Sequence, residues 1–266
     1  MPTLLISRTC LPESRILAAN ARKARWEVQW LGRRCGPARL RAPECALYAE
    51  TDIALRVARM HGLGLIEPTL DLLARLPSKY LLRQVNFMTL SEAQTLTGPT
   101  FVKPADCTAK VFDAAIYEAG RFIFCDDDLS PQTPVLASEP VDWEAEFRMV
   151  VLERRIVAFS PYIRGGWLAR NAQGEWPFSQ AEAEDMLSFA RELLANDAVA
   201  LPPAFVLDVG FIGSRGRAVV EMNPVWCSGL LGCDLNVMLP VLRRACQRID
   251  QLSCADRHWV IERPAA

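Results

Sequence analysis

The chain has 266 residues, 51% hydrophobic and 23% charged, a balance that excludes a disordered or fibrous protein and allows one large domain or two modest ones. Its 30 basic and 31 acidic side chains leave a net charge of −1, which excludes a nucleic-acid backbone or an anionic membrane as an electrostatically recruited partner. The nine cysteines include no Cys-x-x-Cys pair, residues 1–8 are too short an apolar stretch for a signal peptide, and no run approaches the ~18 apolar residues of a membrane span. Together these features predict a cytoplasmic, soluble protein with reduced thiols.

In chain order, an apolar run at 4–7, a helical pattern over 12–25 and a second apolar run at 26–31 predict strand, helix, strand. Residues 51–61 place Ile53, Ala54, Val57, Ala58 and Met60 on a helical period, and a short strand pattern follows at 63–66. This alternation predicts a small α/β lobe. From Phe101 the texture changes to strand-like runs at 101–103, 110–117, 121–124, 134–138, 147–152 and 156–162, joined by short turns such as 118–120, which predicts antiparallel pairing. Ser179-Gln180-Ala181-Glu182 fits a capping box, and Met186, Leu187, Phe189, Ala190, Leu193 and Leu194 give the helix behind it an apolar face. Strand patterns return at 205–212 and 218–222, and 235–249 reads as a closing helix with Pro240 near its start.

The segment 205–224 carries the most chemical information. Two apolar runs flank Gly213-Ser214-Arg215-Gly216, and a hairpin symmetric about Ser214 and Arg215 places Asp208 opposite Glu221, with Asn223 on the same face. Like charges directly opposed destabilise a sheet, by roughly 4 kcal/mol at about 4 Å and an effective dielectric near 20, so something must neutralise them. Two carboxylates and an amide oxygen are hard ligands that suit Mg²⁺ completed by water and phosphate. The alternative is an edge hairpin with solvated acids, and a one-residue bulge would separate the pair.

Only four lysines stand beside 26 arginines, so each is worth inspection. Lys103 closes the strand-like Phe101-Val102-Lys103-Pro104 and can deliver a point charge to a phosphate; Lys79 and Lys110 can add to it, or all three can be ordinary surface lysines. Ser138-Glu139-Pro140-Val141 ends another strand pattern and can offer backbone groups and an acid to a flat heterocycle and its ribose. Glu146 and Arg148 share one face of a strand, as a structural ion pair or as part of a phosphate site.

Taken in order, Lys79, Phe101-Val102-Lys103-Pro104, Ser138-Glu139-Pro140-Val141, Glu146-Phe147-Arg148, Asp208 and Glu221-Met222-Asn223-Pro224 resemble the ATP-grasp superfamily over about residues 75–250. Within it the chain looks most like the divergent bacterial and phage branch related to the eukaryotic cell-division-cycle assembly factor of translation initiation. The resemblance implies an α/β (α+β) ATP-grasp fold: an N-terminal lobe over 1–75, then a domain over 76–266 whose subdomains, 76–139 and 140–266, sandwich ATP. It implies phosphate roles for Lys79 and Lys103, nucleotide contacts from Ser138, Glu139, Val141 and Glu146, and Mg²⁺ ligands in Asp208, Glu221 and Asn223. Lys103, Lys110 and Arg148 are the residues it leaves for catalysis. Two departures stand out. Ala105-Asp106-Cys107-Thr108-Ala109-Lys110 replaces the glycine and serine-rich phosphate loop, so Lys110 takes over its work in this reading; Val206 replaces an arginine found in many amino-acid ligases.

The implied activity is ATP-dependent carboxylate-amine ligation through an acyl phosphate, acting on an amino acid, peptide or protein and needing no histidine. Neither His61 nor His258 falls in these motifs. A kinase on the same scaffold and an ATP-binding assembly factor without turnover are the rival readings. The stretch 163–177 reads as a loop over the acceptor or as an exposed connection, and Cys227-Ser228-Gly229 as backbone donors to a carboxylate or as a turn.

Overall fold

The computed structural model describes residues 1–8, 13–32, 44–108, 111–118 and 129–263. The strand pattern at 121–124, most of the turn at 118–120 and Lys110 lie outside the described residues.

The first strand, β1 (Thr3–Ser7), is buried throughout and pairs in parallel with β2 (Glu27–Leu31) and β3 (Cys45–Tyr48). Parallel neighbours need a crossover. It is supplied by α1 (Ser14–Lys23), which buries Leu17, Ala18 and Ala21. The second helix, α2 (Thr51–His61), ends at Gly62 with φ 62°, a left-handed stop that glycine adopts without steric cost, and leads into β4 (Leu63–Leu65).

The four-stranded antiparallel sheet contains β5 (Val85–Thr89), β6 (Thr100–Pro104), β7 (Ala115–Tyr117) and β8 (Pro134–Ser138) in the order β5-β8-β6-β7. A short α3 (Leu90–Ala93), opened by a full capping box between Thr89 and Glu92, follows β5. The larger antiparallel sheet contains β9 (Trp143–Leu152), β10 (Arg155–Arg164), β11 (Trp167–Leu168), β12 (Ala204–Ile212) and β13 (Gly216–Asn223) in the order β11-β10-β9-β12-β13. Its two faces have different partners. Phe205, Leu207 and Val209 of β12 join Met186, Ala190, Leu193 and Leu194 of α4 (Gln180–Ala195) in one core. Ala204 and Val206 pack with Leu239, Val241 and Leu242 of α5 (Met238–Ala245) and with β1 and β3 in another. Asp208 is next along that second face. The result is an α+β architecture, mixed in content, with several sheets and few helices.

Most predicted elements appear within a residue or two, with three differences. The strand expected from 147 begins four residues earlier, at Trp143. The run at 110–117 forms a strand only at Ala115–Tyr117. The closing helix is only Met238–Ala245, because 246–248 pair as β14 (Cys246–Arg248) with β4; a tertiary ladder overrides the helical period there. Ser179 caps α4 as expected, but the Glu182 carboxylate binds Arg164 rather than closing the box. The last helix is α6 (Cys254–Arg257). All six described cysteines are free; Cys45 and Cys246 lie buried with their Sγ atoms 3.7 Å apart.

Gly210, paired with Glu146, lies under the Trp143 ring: a Cβ there would stand 2.6 Å from Trp143 Cε3 and 2.9 Å from the Ala145 carbonyl oxygen. Backbone cannot yield as a side-chain tip does. Gly210→Ala is therefore expected to destabilise the protein by roughly 1–3 kcal/mol, read as a lower urea midpoint at an unchanged m-value.

Candidate functional site

The acidic face is set by register. Asp208 pairs with Glu221, and Val206 with Asn223, so both acids and the amide share one side of the sheet. The turn is tighter than a symmetric hairpin: residues 213–215 form a 3-10 turn, and Ile212 pairs with Gly216 and Phe211 with Arg217. Continued, that register would put Val220 opposite Asp208 and send Glu221 to the α4 side with Leu207. Val220 is instead an extra residue between the Val209-Val219 and Asp208-Glu221 pairs, and this bulge returns Glu221 to the face of Asp208.

Arg83, which the sequence reading passed over among so many arginines, braces the bulge. Its Nη1 donates to the Val219 carbonyl at 2.8 Å and its Nη2 to the Val220 carbonyl at 3.0 Å, while the guanidinium stacks 4.9 Å from the Trp143 ring centre. Burial pulls its pKa down to about 10. Trp143 lines the cavity described below; Trp226 is fully buried.

Asp208 is 0% exposed, and both its oxygens accept from Arg148: Oδ1 from Nε at 2.9 Å and Oδ2 from Nη2 at 2.6 Å. Arg148 is its neighbour in register on β9. Its remaining arm reaches the Gly229 carbonyl at 2.6 Å, and its guanidinium lies 4.9 Å from the Tyr162 ring centre. Burial works against the charge on Arg148, but the Asp208 carboxylate outweighs it and holds the guanidinium protonated well above its ordinary range. The cation that neutralises Asp208 in this structure is thus a side chain of the adjacent strand, which donates one hydrogen bond to each carboxylate oxygen.

Glu221 is more accessible, with 27% of its side chain exposed. Its Oε2 accepts from Lys103 Nζ at 2.6 Å and its Oε1 from Asn223 Nδ2 at 2.8 Å, with Arg148 Nη2 at 3.9 Å. Burial alone would raise its pKa, but the Lys103 charge dominates and brings it down to about 2.

Lys103 and Glu221 stand in the wall of a cavity of about 310 Å³, which Ser138, Glu139, Val141 and Glu146 also line. Val85, Phe101 and Leu136 make part of its wall apolar. The Glu139 carboxylate accepts from Arg215 at 2.6 Å, tying the hairpin turn to the end of β8. Glu146 accepts from the Tyr162 hydroxyl at 2.5 Å, and burial raises its pKa. Asn223 lies in an adjoining crevice that shares Lys103 and Glu221. Lys79 is absent from both linings: it sits in a turn on the outer surface, its Nζ 2.8 Å from the exposed Glu192 of α4. In this structure it stands apart from the cavity and the crevice.

In the stretch 163–177, the Trp176 ring crowds the place a Cβ on Gly232 would take, which sets that end of the stretch against the loop after β13. The Leu230 and Leu231 N–H groups donate to Glu13, and the Gly229 carbonyl serves Arg148, so the loop after β13 is a bonded turn. Burial lifts the Cys227 thiol to about 12, which disfavours it as a nucleophile.

A family model described as an ATP-grasp domain, the second family of its clade, matches residues 80–241, more than half of the chain. The chain belongs to this ATP-grasp family. The match includes Arg83, Lys103, Arg148, Asp208 and Glu221 and begins one residue after Lys79. Among solved structures, the D-cycloserine synthetase DcsG is 13% identical, with 92% of this chain and 97% of that one covered at a TM-score of 0.56. An L-amino acid ligase from Bacillus licheniformis is 10% identical, with 84% and 68% covered and a TM-score of 0.51. At these identities the likeness is one of ATP-grasp fold. No curated protein matches the sequence.

Two outcomes follow for the charged cluster. Arg148→Met strands the Asp208 carboxylate without its cation and is expected to cost about 3–5 kcal/mol, whereas Arg148→Met combined with Asp208→Leu recovers most of that stability; chemical denaturation of both variants reads the difference. Glu221, depressed from an unfolded value near ~4.3 to about 2, contributes stability that is present above the higher value and lost as pH falls through the lower. Glu221→Gln should therefore flatten the acid limb of the stability curve between roughly pH 4.5 and 2, measured by urea midpoints across that window.

Proposed function

We propose that the protein is an ATP- and Mg²⁺-dependent carboxylate-amine ligase acting on an amino acid, peptide or protein. The observation that carries this reading is the meeting of Lys103 and Glu221 on a cavity of about 310 Å³, inside the ~300–1,000 Å³ range of small-molecule sites. Membership of the ATP-grasp family supports the ATP. On motif order we place the chain nearest the bacterial and phage branch related to the eukaryotic assembly factor. The division into a 1–75 lobe and subdomains 76–139 and 140–266 is also part of this proposal.

In this reading Ser138, Glu139, Val141 and Glu146 receive the nucleoside, and Lys103 turns its ammonium to the phosphates. Glu221 and Asn223 fit Mg²⁺: they present a carboxylate and an amide two residues apart on one face, as the ion requires when phosphate and water complete its shell. Bound Mg²⁺ supplies charge neutralisation at the phosphates. Asp208, which fixes Arg148, belongs to the proposed Mg²⁺ ligand set with Glu221 and Asn223, and Arg148 stands behind Glu221 as a buried positive charge.

The γ-phosphoryl group passes from ATP to a carboxylate oxygen, giving an acyl phosphate and ADP. The amine nitrogen attacks the carbonyl carbon, the bond from that carbon to the phosphate oxygen breaks, phosphate leaves and the nitrogen loses a proton. Lys103 and Arg148 offset negative charge as it moves, which is electrostatic work and needs no histidine. The Lys110 role belongs to this proposal as well, as a further cation near the phosphates.

The test is incubation of the protein with ATP, Mg²⁺ and libraries of amino acids and peptides, followed by mass spectrometry and by ADP and phosphate assays. A ligase makes an amide with one ADP and one phosphate per bond. A phosphorylated product without free phosphate establishes a kinase, and ATP binding with no product from any library establishes a binder. Lys103→Ala should weaken ATP binding by roughly tenfold to a hundredfold, the loss of a charged hydrogen bond of about 1.5–3 kcal/mol. Lys79→Ala should leave it unchanged.

A further inference from the structure

Next to the nucleotide cavity, the crevice that holds Lys103, Glu221 and Asn223 is also lined by Glu67 and Asp106. Both carboxylates belong to a cluster that the ligase reading does not use. Arg263, near the C-terminus, joins them: its Nη1 and Nη2 donate to the two Glu67 oxygens at 2.7 and 2.9 Å, and its Nε and Nη2 to the two Asp106 oxygens at 2.7 and 3.1 Å. One planar guanidinium is thus bidentate to two acids. The side chains are 13% exposed for Arg263, 3% for Glu67 and 17% for Asp106, so the contacts are only weakly screened by solvent.

The three segments are placed by backbone before the side chains meet. Ile66 bridges Val260 and the Glu67 N–H donates to the Trp259 carbonyl at 2.9 Å, which lays the C-terminal segment along the end of β4. Asp106 sits two residues after the end of β6, where the Ala105 N–H donates to Pro134 at 3.0 Å. Asp106 accepts in turn from the Thr108 N–H at 2.9 Å and from the Thr108 hydroxyl. Residues 105–108, the segment that directly follows Lys103, are therefore fastened at both ends of their one acidic side chain: inward to Thr108 and outward to Arg263.

We propose that Arg263 is a positioning residue for the phosphate end of the nucleotide site, holding the 105–108 loop through Asp106 so that Lys103 is presented to the triphosphate. The loop here lacks the glycines and serines that would let backbone amides wrap a phosphate, and a side-chain clamp from outside the family-matched region fixes it instead. This inference rests on the ATP-site reading above. Lysine at 263 would not reproduce the clamp, because one ammonium cannot fork to two carboxylates.

The test uses the full chain and two ligands, ATP with Mg²⁺ and adenosine, titrated calorimetrically into wild type, Arg263→Gln and Asp106→Asn, with melting temperatures for each. The expected result is an ATP Kd raised about tenfold in both variants with the adenosine Kd unchanged. Asp106→Asn leaves the Arg263-Glu67 pair in place and carries the test if Arg263→Gln fails to fold. Equal ATP affinity in wild type and Asp106→Asn, or equal weakening of ATP and adenosine, overturns the proposal. Wild type that binds neither ligand overturns the ATP-site reading and this inference with it.

Discussion

Asp208 lies in the middle strand of three neighbours with no exposed surface, and an isolated carboxylate so placed would carry a desolvation cost of several kcal/mol. Everything around it follows from the need for a cation within hydrogen-bond reach. Register on β9 brings Arg148 alongside, and bidentate geometry fills both oxygens. The third arm of the same guanidinium then binds Gly229, so the loop that follows β13 is drawn onto the pair. A single buried ion pair thereby ties β9 and β12, already paired by their backbone ladder, to the 229–231 turn and sets the floor on which Glu221 stands.

Glu221 reaches that floor only because of one inserted residue. Without the bulge at Val220, the hairpin's own turn would direct Glu221 and Asn223 to the α4 face, among Phe205 and Leu207, where charge has no partner. Arg83 holds the bulge by its carbonyls and comes from the segment before β5, in a different sheet. The two sheets are therefore joined where the chemistry is proposed to occur. Arg215 on Glu139 ties the same hairpin to β8 from its turn.

Local pattern made much of this legible. The alternation of 205–212 and 218–222 identified the hairpin, and the pairing of Asp208 with Glu221 emerged although the assumed turn was wrong by one residue, since the bulge cancels the error. What local pattern could not supply was the partner of each charge. The lysine at 79 looks the same in sequence whether it faces a phosphate or Glu192, and that choice is made 113 residues away. That Asp208 is neutralised by Arg148 is legible only once β9 is known to pair with β12, an arrangement that brings in the arginine from 60 residues off. Arg83 and Arg263 carried no contrast in a chain of 26 arginines; their roles come from burial and from what they bridge.

The charge balance of the site bears on how a triphosphate could enter it. Lys103 is paired with Glu221, Arg148 with Asp208 and Arg215 with Glu139, so these cations already have carboxylate partners. Glu146 adds a further acid whose raised pKa reflects burial next to them. A polyanion placed here would meet a surface near neutrality, and binding would be weak unless partners were exchanged. Lys103 is the group able to exchange, because its Glu221 contact lies at the cavity wall whereas the Arg148 contact is sealed beneath it. If Lys103 turns to phosphate, Glu221 is left with Asn223 and the more distant Arg148, a carboxylate and an amide in want of a cation. On this account nucleotide and divalent ion are coupled ligands, each completing the charge that the other displaces; the Lys103 charge that holds the Glu221 pKa down leaves in the exchange, and the ion takes its place beside the carboxylate.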